Sequence, residues 1–169
     1  TGDTAALLFP GADPVVVHDE ITPGVALVGL NIGSDHILFQ PFPTDLRSFN
    51  EAIGTYCLVS LCGGDRGSGV GTHIQAAGTN TVANDLHLGV SAGTAGYYQL
   101  NGGTLTVGRD TVLGPNLVST AGFAASGTIA NSGGTHTVGR DLILGTLENQ
   151  TGTYDLSGTG TLSVGRDTW

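Results

Sequence analysis

The sequence predicts a mainly β fold: a parallel β-solenoid of about four rungs, preceded by a strand-rich N-terminal cap that carries one short helix. Three observations point there. The stretch Gly102-Gly103-Thr104-Leu105-Thr106-Val107-Gly108-Arg109-Asp110 returns as Gly133-Gly134-Thr135-His136-Thr137-Val138-Gly139-Arg140-Asp141, and shortened as Gly160-Thr161-Leu162-Ser163-Val164-Gly165-Arg166-Asp167. A worn copy, Gly78-Thr79-Asn80-Thr81-Val82-Ala83-Asn84-Asp85, precedes them. The closing aspartates fall 25, 31 and 26 residues apart, a period that signals a stacked array. Within each copy apolar residues alternate with Thr or Ser, which is the period of a strand with one face buried. Glycine, 29 of 169 residues, sits between these short runs, where tight corners need Gly or Asn for positive φ.

The chain divides at about residue 70. Residues 1–70 form the expected cap or docking region. Their apolar segments, Ala5-Phe9, Val15-Val17, Val25-Ile32 and His36-Phe42, are separated by Gly, Pro and Asp and read as short strands. One segment departs from this. Thr44 stands as an N-cap, Asp45 suits a helix start, and Gly54 suits a helix end. Leu46, Phe49 and Ile53 then share one helical face, so the spacing predicts a short helix over residues 44–54. Tyr56-Leu61 reads as a buried strand, and the glycine-rich run 63–71 as a joint. Cys57 and Cys62 lie five residues apart. In a continuous strand they face opposite sides about 16 Å apart. They read as two buried thiols, or as a disulfide if the chain turns back after Leu61, with a metal or redox role ranked below both.

Residues 71–169 carry the repeats. Each unit has three short strands. The central one (residues 104–107, 135–138, 161–164) turns Leu105 and Val107, His136 and Val138, or Leu162 and Val164 inward. A second follows Gly-Arg-Asp at residues 86–88, 111–113 and 142–144. A third lies upstream, at Tyr97-Leu100 and Thr153-Leu156. One unit cannot bury its own apolar face, whereas parallel stacking of equivalent strands can. The longest unit holds its extra residues within Leu117-Ala130, read as a loop leaving one corner.

Two segments, Gly102-Gly108 and Gly152-Gly158, resemble the Gly/Thr-rich repeats of bacterial autotransporter passengers and of PEP-CTERM-type secreted repeat proteins. The resemblance covers residues 71–169 only. It implies a secreted or cell-surface structural solenoid, of bacterial origin, and it carries no catalytic residues across.

Composition narrows the partners. Fourteen acids face five arginines and no lysine, for a net charge of -9. Such a surface repels phosphate backbones and anionic headgroups, which argues against nucleic acid. No run of about 20 apolar residues is present, which argues against membrane insertion by a helix. The missing initiator Met fits a processed chain or a fragment.

Candidate chemistry is sparse. Asp85, Asp110, Asp141 and Asp167 stack, so they are weak candidates for Ca²⁺ ligands. The stronger reading makes them turn-closing residues, with Arg109, Arg140 and Arg166 interleaved to offset the repulsion. His136, in the place of Leu105 and Leu162, reads as a neutral, hydrogen-bonded interior residue. His87, Val112 and Ile143 share an outward position, which suggests a covered face. His18-Asp19-Glu20 with Asp35-His36 matches no metal or acid–base spacing. No cofactor is expected.

The leading functional expectation is a non-enzymatic extracellular protein that self-associates head to tail into a filament or surface layer. Trp169, Val112, Ile143 and Phe123 are the interface candidates. The alternative is an adhesin or glycan-binding solenoid using Tyr97, Tyr98, Tyr154 and the 117–130 loop. A polysaccharide-active β-helix enzyme ranks below both.

Overall fold

The computed structural model describes residues 4–7, 15–17, 27–33, 36–40, 43–55, 69–90, 93–114, 124–145 and 148–169. Among these residues the fold is all β, and every paired strand runs parallel to its neighbour.

Two sheets form. The smaller one contains β2 (Val15–Val17), β4 (His36–Gln40), β6 (Val70–Gln75), β9 (Ala95–Leu100), β12 (Ala125–Asn131) and β15 (Gln150–Leu156), stacked in that order. The larger one starts with β1 (Thr4–Leu7), β3 (Leu27–Gly33) and β5 (Asp45–Thr55). Beyond β5 it continues as two ribbons. One holds β7 (Thr79–Val82), β10 (Thr104–Val107), β13 (Thr135–Val138) and β16 (Thr161–Val164). The other holds β8 (Leu86–Leu88), β11 (Thr111–Leu113) and β14 (Leu142–Leu144). Thr168 begins a further rung of this second ribbon by bridging to Leu142.

Register follows the repeat. Leu105 lies between Asn80 and His136, and His136 is followed by Leu162. Val82, Val107, Val138 and Val164 form the adjacent column. In the smaller sheet Leu38, His73, Tyr98, Ile129 and Tyr154 align. These columns meet between the sheets. Leu105, Val107, Leu113, Tyr98 and Ile129 are all fully buried there, while the intervening Thr residues face outward. Burying each large apolar side chain contributes roughly 1.5–3 kcal/mol, and the columns make that burial continuous.

The expected helix over 44–54 is not formed. Asp45–Thr55 is one eleven-residue strand. It turns Leu46 and Ser48, then Glu51 and Ile53, inward and leaves Phe49 exposed. Helical spacing of Leu46, Phe49 and Ile53 was a local signal. It is overridden because β3 pairs on one side of β5, and β7 and β8 pair on the other. Asn50 also takes the place of the aspartate that closes later copies, since its Oδ1 accepts from the Asp85 N–H at 3.4 Å. Residues 45–53 are thus a copy of the larger-sheet strands without the Gly-Arg-Asp signature. Strand pairing crosses residue 70 in both sheets, through β4–β6 and β5–β7.

The glycine of Gly-Arg-Asp is needed for close approach. A Cβ on Gly139 would lie 2.2 Å from the Gly108 carbonyl oxygen, and one on Gly108 would lie 2.1 Å from that of Ala83. By contrast Gly103, two residues before Leu105, has φ +79°, which L side chains rarely adopt. Gly139→Ala must therefore push two copies apart. A loss of about 1–3 kcal/mol is expected, read as a lower urea midpoint.

Candidate functional site

The repeated Gly-Arg-Asp corners build a ladder in which each arginine reaches back one copy. Arg140 Nε donates to Asp110 Oδ1 at 2.9 Å, and its Nη2 engages Oδ2. Arg166 treats Asp141 the same way, with Nε to Oδ1 at 2.9 Å. Arg109 sits 3.5 Å from Asp85. Each carboxylate also accepts the backbone N–H of the next aspartate: Asp110 N–H to Asp85 at 3.2 Å, Asp141 N–H to Asp110 at 3.2 Å, Asp167 N–H to Asp141 at 3.3 Å. Stacking four aspartates a strand spacing apart would repel; the interleaved arginines cancel that charge. The Arg166 hydrogen bond holds the Asp141 carboxyl below its usual range. These half-exposed pairs add little stability singly; their value is in setting register.

Asp110 and Asp141 are nearly buried, Asp85 is partly so, and Asp167 is open. The carboxylate oxygens of Asp85, Asp110 and Asp141 are engaged by guanidinium and N–H donors. Among the described residues no three His, Cys, Asp or Glu side chains gather where a metal could sit.

A second constellation lies in the interior. Glu51 on β5, His73 and Gln75 on β6, Asn80 on β7 and Tyr98 on β9 are all fully buried. His73 Nδ1 meets Glu51 Oε1 at 2.7 Å. Asn80 Nδ2 donates to Glu51 Oε2 at 2.8 Å and to Tyr98 Oη at 3.0 Å. Tyr98 donates to Gln75 Oε1 at 2.7 Å, and Gln75 Nε2 donates to the Gly78 and Thr104 carbonyls, each at 3.1 Å. Burial, reinforced by the Glu51 charge, pushes the Tyr98 phenol well above its usual range. His73 Nε2 and Asn80 Oδ1 have no hydrogen-bond partner. The carboxyl–imidazole pair resembles an acid–base couple, but both groups are sealed from solvent, so no solute meets them in this conformation.

A related device recurs at the corners. Gln40 Nε2 donates to the Thr44 and Thr79 carbonyls, and Asn131 Nδ2 to that of Thr161. With Gln75, these amides tie the end of a smaller-sheet strand to the larger-sheet strand of the next copy. Leu100 interrupts the column between Gln75 and Asn131.

His136 is fully buried, with Nδ1 3.0 Å from Tyr154 Oη and Nε2 3.4 Å from Thr111 Oγ1. Burial lowers its pKa to about 3, so it is neutral inside the fold. His87 is also held below its usual value, by desolvation. Val112 is buried, Ile143 half-buried and Trp169 exposed. Of the three tyrosines expected to meet a glycan in the adhesin reading, only Tyr97 is on the surface; Tyr98 is buried and Tyr154 turns inward. Phe123, Cys57, Cys62, His18, Asp19, Glu20, Asp35 and the 117–123 part of the long loop lie outside the described residues, as does the side chain of His36.

Sequence reasoning missed Glu51, His73 and Tyr98 as interior partners. Asn80 carried the available signal, being a polar residue where Leu105 and Leu162 stand. No family, curated protein or solved structure matches the chain.

Two outcomes follow. Removing the Glu51 carboxylate leaves His73 and Asn80 buried without their partner, so Glu51→Ala should cost about 3–5 kcal/mol in chemical denaturation. For His136 the folded pKa of about 3 lies below the unfolded value of 6.5, so the unfolded state binds the extra proton. Its contribution is fully present above pH 6.5 and is lost as pH falls from there toward 3, at up to about 1.4 kcal/mol per pH unit. Urea titrations of His136→Leu should show a flatter pH dependence than the parent chain across that window.

Proposed function

We propose that the chain is a non-enzymatic, secreted or cell-surface β-solenoid that associates with further copies of itself, head to tail, as a structural filament or layer. Its two parallel sheets are read as faces of one coil, each repeat supplying one turn. The Gly/Thr-rich, lysine-free composition supports an extracellular setting.

One observation carries the reading. Every paired strand among the described residues runs parallel to its neighbour, so each copy offers the next the same backbone groups and the same side-chain columns. Among the described residues β1, β2, β15 and β16 each pair with a single strand, which makes them the edge strands of the two sheets. Parallel stacking is self-templating: a strand of another copy meets the same ladder as a strand of the chain itself, without a change of direction, a heterologous contact that propagates.

Light scattering against concentration, with negative-stain microscopy, tests this. Mass should rise with concentration, and more steeply when salt screens the net charge of -9. Leu162→Lys puts an inward charge on the edge strand and should hold the protein as a monomer without unfolding it. A parent chain that stays monomeric at every concentration and salt level overturns the proposal.

A further inference from the structure

We propose that Asn149 is a glycan attachment site, modified on its side-chain amide by a sequon-reading transferase that uses a glycosyl diphosphate donor. The inference shares with the proposed function its extracellular setting and makes no use of the association edges.

The sequence supplies the motif. Asn149-Gln150-Thr151 is the one Asn-Xaa-Ser/Thr sequence among the chain's eight asparagines, and its middle residue is not proline. Such a motif is used only where the fold presents it at the surface, so its place in the structure decides.

The structure puts it at a corner. Asn149 stands just before β15, and both Asn149 and Thr151 are exposed. By the period of a strand, Thr151 and Thr153 face away from Tyr154, whose hydroxyl lies 3.0 Å from the buried His136. Register identifies the same corner in two earlier copies. Ala95, Ser126 and Thr151 are partners across β9, β12 and β15, so two residues back Gly93, Ala124 and Asn149 are equivalent. All three are exposed. The copies that hold Gly93 and Ala124 are stacked on both sides and their corners are still open. The openness therefore belongs to the corner itself. A Cβ on Gly93 would meet no heavy atom within 4 Å, unlike one on Gly108 or Gly139.

The choice of residue is telling. Gly93 has φ +76°, and Asn149 keeps that left-handed corner with φ 67°. No other non-glycine residue among those described has a positive φ. Asparagine tolerates this region better than most residues. The later copy thus retains the backbone and adds an amide where glycine left open space.

The reaction is a substitution at carbon. Asn149 Nδ2 bonds to the anomeric carbon of the donor as the bond from that carbon to the diphosphate oxygen breaks. The diphosphate leaves with the bonding pair, and the amide gives up one proton. Nothing is oxidised or reduced. The diphosphate is carried by an isoprenoid lipid or by a nucleoside, and either presents the same anomeric carbon.

Glycosylation of the folded chain tests this in two arms. One uses a membrane oligosaccharyltransferase with an isoprenoid-diphosphate oligosaccharide. The other uses a soluble sequon-reading transferase with uridine diphosphate glucose. Intact mass and peptide mapping should show one glycan, at Asn149, in at least one arm, and that arm identifies the carrier. Asn149→Gln and Thr151→Val should lose the addition, and Thr151→Ser should keep it. Urea midpoints check that the variants are folded. A folded parent chain left unmodified in both arms overturns the inference, and modification of a peptide of residues 145–155 alone then places the obstacle in the fold. Addition that survives Asn149→Gln overturns it as well. Light scattering on the same samples separates the two readings. An unmodified chain that self-associates leaves the proposed function standing, and a glycosylated chain that stays monomeric before and after modification upholds the inference and removes the proposed function.

Discussion

One spacing governs this chain. Each copy lies a strand width from the next and in strict register, close enough that the glycine of one corner touches the carbonyl of another. Like must then stack on like. Apolar columns gain by this, because Val82, Val107, Val138 and Val164 bury one another. Charged and polar columns would be penalised, and the chain answers each in its own way. Arginines offset by one copy separate the aspartates. Side-chain amides span the corners instead of facing an apolar wall.

The interior shows how far stacking tolerates polarity. Glu51, His73, Asn80, Tyr98 and Gln75 come from four strands and both sheets, yet they complete most of one another's hydrogen bonds. A purely apolar column could slide by one copy with modest loss. A buried carboxylate that fits one imidazole and one amide cannot, so the cluster fixes the alignment of β5, β6, β7 and β9. The His136–Tyr154–Thr111 group plays the same part further along. Such groups trade some stability for a unique arrangement.

Much of the ladder was legible because it repeats. Leu105, Val107 and Gly108-Arg109-Asp110 could be compared with their copies, and period two separated inside from outside. His136 could be read as an interior residue for the same reason. Segment 45–55 could not. It has no glycine signature, it replaces a corner by Phe49-Asn50, and its apolar spacing imitates a helix; only its neighbours β3, β7 and β8 make it a strand. The Glu51–His73 contact was equally hidden, because it joins residues 22 apart across two sheets with no motif to align them. The need for glycine at Gly139 was visible, but its cause was misassigned: the corner reading called for positive φ, whereas Gly139 is not among the positive-φ residues and is required by its close approach to the Gly108 carbonyl.

The backward reach of each arginine has a consequence for how such a chain can change length. The pairs Arg109–Asp85, Arg140–Asp110 and Arg166–Asp141 each join one unit to the unit before it. A duplication of one whole unit would add one arginine and one aspartate, and a deletion would remove one of each. In either case the flanking copies would find the partners they had before. Lineages could therefore lengthen or shorten the array by recombination between near-identical segments. Each such event keeps the total charge of the corners constant and strands no carboxylate in the middle.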